Sequence, residues 1–185
     1  MNPAYKVYPQ LMNEMEFVKA KLNAQMMNDE LVVYSAPMDG IHVVLMMTDT
    51  RNLLHGDRFV VTRNWLAEQH LPKEAAYEQA LANLKALPFS LTRVFPDADT
   101  PDVWLYQCMG NDGFEAARIL LLHELDAFAE FRNTDGFYAI PTTDMLLVFD
   151  AAKLKPFGMY MARSLYDGGD MFKISPRLYP FNTSK

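Results

Sequence analysis

The chain has 185 residues, half of them apolar and 22% charged, with a net charge of -6 and a single cysteine. That length suits one globular domain, residues 1–185, whose core needs no disulfide or metal to hold it. A mean hydropathy of -0.10 excludes a membrane protein, and a pI of 5.2 lacks the basic footprint of a nucleic-acid binder.

The first element is expected to be an amphipathic helix. Leu11, Met15, Val18, Leu22 and Met26 recur at spacings of three and four, which places them on one helical face. The period then shortens. Residues 31–36 and 41–47 are rich in Val and other apolar residues and flank Pro37-Met38-Asp39-Gly40, a hairpin pattern. Residues 59–62 are expected to form a third strand. Residues 64–70 suit a short helix, and Pro72 suits the first turn of the next, where its missing N–H is not needed. Tyr77, Ala80, Leu81 and Leu84 carry that helix toward Pro88.

Strands are expected at residues 91–95 and 103–108, separated by an acidic turn holding Asp97, Asp99 and Asp102 between prolines. Asp112 opens a further helix, with Phe114, Ala117, Leu121, Leu125 and Phe128 at helical spacings and a break near His123. Residues 138–140 and 145–149 read as strands, and a helix follows from about Gly158. Residues 172–181 are β-like but carry Pro176 and Pro180, which suits an edge strand or extended arm. Clustered helices and hairpin-linked strands imply an α+β fold. Its sheet is largely antiparallel, with the N-terminal amphipathic helix and other helices packed on it.

Cys108 alone cannot form an intramolecular disulfide, and the first residues lack the apolar core of a signal peptide, so a cytoplasmic location is expected. Strong catalytic motifs are missing: there is no G-x-S-x-G elbow, Walker A loop, G-x-G-x-x-G turn or C-x-x-C pair. His123-Glu124 begins like H-E-x-x-H, but Ala127 stands where the second ligand is needed. No cofactor or metal site is therefore expected. Three carboxylates in turns or at helix starts remain as candidates for general acid–base or metal chemistry: Asp49, Asp112 and Asp144. Asp112 and Glu115 also have the spacing of a capping box, which explains the pair without catalysis. Asp144 ends Pro141-Thr142-Thr143-Asp144, good turn chemistry in its own right. The 13 methionines include the adjacent pairs Met26-Met27 and Met46-Met47. Methionine fills irregular gaps and adaptable binding surfaces, so an exposed pair would mark an interface.

Four segments, 80–84, 112–121, 139–147 and 175–179, occur together in an order and spacing that resembles the YtpQ-like family of bacterial proteins. The resemblance covers about the last three-fifths of the chain. It implies a bacterial cytosolic protein and brings no known activity or cofactor. Two functional expectations follow. The first is a non-enzymatic binding or regulatory module, as a homodimer or with a protein partner, motivated by the missing catalytic motifs and the abundant Met and aromatic residues. The second is a hydrolase-like enzyme using Asp49, Asp112 and Asp144, with or without a divalent metal. Charge is also uneven. Residues 97–130 hold eight acids against Arg118, while the chain after residue 151 is basic, which suggests that the tail packs on the acidic segment.

Overall fold

The structure, a computed structural model, describes residues 5–95, 104–132, 134–150, 152–169 and 172–181. The turn expected at Asp97, Asp99 and Asp102 lies outside them. The sequence reading treats residues 1–185 as one domain; contacts divide the chain into two compact units, Met1–Leu87 and Pro88–Lys185. The fold is α+β, and every strand pairing in both sheets is antiparallel.

The first unit is organised by β3 (Ile41–Asp49). Along one edge it pairs with β1 (Tyr5–Asn13) from Asn13↔Ile41 to Tyr5↔Asp49. Along the other edge it pairs with β2 (Val33–Ser35) near its start and β4 (Arg58–Val60) near its end. The β2–β3 hairpin turns through Gly40, whose φ of 73° is open to glycine and strained for most other residues. Pro9 sits in β1 because an edge strand has one side where no ladder amide is required.

The expected first helix starts later than its apolar spacing suggests. Leu11 belongs to β1 and is 1% exposed, and α1 spans Glu14–Met26. Long pairing with β3 outweighs the local helical spacing through Asn13. There the chain switches: the Asn13 side chain accepts the Glu16 N–H at 2.9 Å and caps the helix. Phe17 of α1 stacks on His42 at 3.9 Å between ring centroids. His42 and Leu45 are three residues apart in one strand and point to opposite faces. Leu45 faces the core, which holds Val7, Val32, Val61, Leu66, Ala76 and Ala80. That face is covered by α2 (Arg63–Glu68) and α3 (Lys73–Lys85). Ala76, Ala80 and Leu84 recur every four residues and are buried, and Pro72, expected in the first turn of α3, is instead its N-cap residue. The sheet therefore has α1 on one face and α3 on the other.

The second unit is a five-stranded sheet in the order β5 (Ser90–Phe95), β6 (Leu105–Met109), β8 (Leu147–Phe149), β7 (Phe137–Ala139), β9 (Leu178–Pro180). The tail expected as an edge strand is β9, at the sheet's edge. One face buries Leu105, Phe137, Ala139, Leu147 and Phe149 against Ala162 of α4 (Lys155–Gly168). Helix α4 begins before Gly158, because Pro156 in its first turn forfeits no hydrogen bond. Gly158 permits a close approach: a Cβ there would lie 2.6 Å from Phe137 Cε2.

The helix expected after Asp112 is instead two 3₁₀ segments, Ala116–Leu121 and Asp126–Phe131. Phe114, Ala117, Leu121, Leu125 and Phe128 are all buried, but so are Ala116, Arg118, Ile119 and Leu122. A segment buried on several sides gains little from one straight amphipathic face. At the break near His123, Arg132 donates to Leu122 O at 2.9 Å and Leu125 O at 2.7 Å, satisfying carbonyls that a continuous helix would have used. Phe131 packs edge-on to Tyr106 at 5.0 Å and stacks on Phe181 of the tail at 5.8 Å. Two of the basic groups after residue 151 find local partners: Arg163 pairs with Asp167 at 2.7 Å, and Lys173 donates to Asp167 O.

Candidate functional site

The three candidate carboxylates do not share one setting. Asp49 ends β3 in the first unit, and Arg51, two residues on, binds both its oxygens from Nε at 2.9 and 3.1 Å. Those hydrogen bonds hold the Asp49 carboxyl at about 2, so it is an anion and not a proton donor near neutral pH. Asp112 and Asp144 belong to the second unit. Asp144 accepts the Thr142 hydroxyl at 2.7 Å, the turn role its sequence context suggests. Its loop is tied to the Asp112 loop through the Ala116 N–H and the Thr143 carbonyl, 3.2 Å apart.

Asp112 is 4% exposed and lies in a buried ionic cluster. Arg118, completely buried, reaches both Asp112 oxygens, Nη1 to Oδ1 at 3.2 Å and Nη2 to Oδ2 at 2.6 Å. The fork of a guanidinium matches a carboxylate in this bidentate way. Phe89 lies 4.9 Å beneath the guanidinium. The reciprocal arm of the expected capping box forms. Glu115 reaches back to accept the Asp112 N–H at 3.2 Å, and Asp112 accepts from the N–H of Phe114, two residues on, at 2.9 Å. Gly110 lies so close that a Cβ on it would sit 2.9 Å from Arg118 Nη2.

Burial, reinforced by the charge of Asp112, raises the Glu115 pKa above the ordinary carboxylate value. Glu115 Oε2, Arg118 Nε and Thr143 Oγ1 are buried without a protein hydrogen-bond partner. Cys108 is 1% exposed, and burial pushes its thiol up to about 12, far from a reactive thiolate. The sequence reading finds Asp112 and Glu115 from their spacing but passes over Arg118. The available clue is a lone cation inside the apolar run from Phe114 to Leu122. Chemically, the cluster fixes the turn from Gly110 to Arg118. Among the described residues, no group of three His, Cys, Asp or Glu side chains is placed to hold a metal ion.

The surface of the first unit carries a different feature. At about 100° per residue, Phe17, Ala20 and Ala24 define the face of α1 turned toward the sheet. Met15, Val18, Leu22 and Met26 lie about 180° away. They are exposed by 60%, 42%, 54% and 77%. Of the five residues that the spacing groups, Leu11 lies in β1 and the other four face outward, so α1 does not pack on the sheet by the face the sequence reading expects. Met27, at the C-terminal end, is 69% exposed and borders a cleft of about 210 Å³ lined by Met47, Phe59, Val61 and Trp65. Of the two methionine pairs, Met26-Met27 is therefore the exposed one, while Met46 is buried. No helix among the described residues is long and apolar enough to cross a membrane. No family model, curated protein or solved structure matches this chain.

Proposed function

We propose that this chain is a YtpQ-like cytosolic binding module that docks a protein partner on the outward face of α1. One observation carries the reading: Met15, Val18, Leu22 and Met26 form a continuous apolar stripe on the face of the helix opposite the one that packs. A helix apolar on two faces is suited to lie between two bodies, one of them its own domain. Contiguous exposed apolar surface of this kind marks interaction sites more often than it marks idle surface, and methionine adapts to the partner it meets. The hydrolase reading draws less support, since Asp112 is committed to Arg118 and Asp49 to Arg51.

A photo-reactive amino acid placed at Leu22 in the cell tests this reading, with exposed Gln79 on α3 as the control position. A discrete adduct from position 22, absent from position 79 and abolished by Met26→Glu, is the expected result. Equal labelling from both positions, or no adduct from any stripe position, would refute it.

A further inference from the structure

We infer that the occupant of the α1 face is a second copy of this chain, bound as a parallel helix pair about a two-fold axis. This rests on the docking reading above and adds to it the identity and orientation of the partner. Met15, Val18 and Leu22 occupy the alternating core positions of a two-stranded coiled coil, and Met26 adjoins them. Because the first unit's own sheet packs on the opposite side of α1, that sheet does not stand between two such helices.

The charges beside the stripe select the orientation. Glu14 lies about 85° to one side of it, and Lys19 about 55° to the other. In a parallel, in-register pair, Glu14 of each copy faces Lys19 of the other, and this happens twice by symmetry. Lys21 then meets Met26 of the second copy, against which its aliphatic stem can lie. The antiparallel register that still overlaps the whole stripe sets Lys21 against Lys21 and Lys19 against Lys19, which is repulsive. Both groups have a partner within their own copy, Glu14 with His42 at 2.6 Å and Lys19 with Glu16 at 2.7 Å, but their side chains stay 66% and 58% exposed, so each can exchange that contact for the one across the pair.

The area sets the strength. Four side chains about half exposed supply roughly 500 Å² of apolar surface to a symmetric pair. With a polar rim at the usual ~60% apolar share, the interface reaches roughly 800–1,000 Å². That is the range of weak, reversible complexes.

Sedimentation equilibrium of the full chain across roughly 5–500 µM, the regime of weak complexes, reads the association. The expected result is a reversible dimer that Leu22→Glu weakens at least tenfold, with unchanged circular dichroism. Glu14→Lys and Lys19→Glu should each weaken it several-fold, and the double reversal should restore it. Leu22→Cys should cross-link to itself on mild oxidation, because only the parallel register sets residue 22 against residue 22. A chain monomeric across the whole range, a dimer indifferent to Leu22→Glu, or charge reversals that fail to rescue each other would overturn the pairing. If the wild type is monomeric while position 22 still gives a specific adduct to a different chain, the second copy is wrong and the docking surface stands. If no stripe position gives any adduct, both fall.

Discussion

Replacing Arg118 by Met removes the guanidinium and nearly preserves the volume, leaving the Asp112 carboxylate in place. Asp112 has a side-chain exposure of 6%, and Arg118 has none. A carboxylate so placed cannot recover its lost partner from water. Breaking a buried pair from one side costs about 3–5 kcal/mol, because one charge is left uncompensated. Against a typical domain stability of about 5–15 kcal/mol, that is a large fraction. With a urea slope of about 1–3 kcal/mol/M, the midpoint should fall by roughly 1–5 M. The double variant Asp112→Asn/Arg118→Met removes both charges and keeps an acceptor for the Phe114 N–H, now made at 2.9 Å by Asp112 Oδ1. It should regain most of the loss, since an apolar replacement of a whole buried pair is often neutral. Cys108 supplies the assay. It is the chain's only cysteine, it is buried, and it lies in the same unit. Its rate of modification by excess thiol reagent across a urea series follows the unfolding of that unit. A single-variant cost below about 1 kcal/mol, the worth of an exposed pair, would show that water reaches the cluster and that the burial argument is wrong.

Glu115→Gln should flatten the dependence of stability on pH. The folded state holds the Glu115 proton above the ordinary value of 4.5, while the unfolded chain releases it there. The folded state thus binds more protons, and wild-type stability falls as pH rises from 4.5 through the raised folded pKa. Urea melts at several pH values would show the fall in the wild type and its absence in the variant; parallel curves would refute the assignment. Gly158→Ala should destabilise by up to about 2 kcal/mol, because overpacking against Phe137, about 1–3 kcal/mol, offsets or exceeds the helix-propensity gain of about 1 kcal/mol. Gly168→Ala, with nothing within 4 Å of the new Cβ, should instead be neutral or stabilising, and the opposite ranking in thermal melts would contradict the packing. The native Cys108 thiol should resist alkylation near neutral pH and react promptly once unfolded; fast native labelling would contradict a thiol raised to about 12.

Much of the fold can be read locally. The β2–β3 hairpin follows from two apolar runs about a Pro/Asp/Gly turn. Helix α3 follows from Pro72 and its run of Ala and Leu, and the edge position of β9 from its prolines. These depend on backbone preferences acting over a few residues. Nonlocal pairing accounts for what local spacing misassigns. Leu11 fits a helical stripe, but nine residues of β1 pair with β3, and that ladder fixes the strand. The segment after Asp112 has helical spacing, but burial on several sides bends it into 3₁₀ turns.

The sites divide in the same way. Spacing along the chain is enough to pick out Asp112 with Glu115, and Met15, Val18, Leu22 and Met26 as one stripe. It could not show that Arg118 closes on Asp112, because residues six apart meet only when the chain curls back through a turn. Nor could it show which way the stripe points. An amphipathic pattern fixes which residues share a face, since that depends on helical pitch alone. Whether the face is buried depends on what stands against it, and here Phe17 and Ala24 take the inner side while the larger apolar face is left outward.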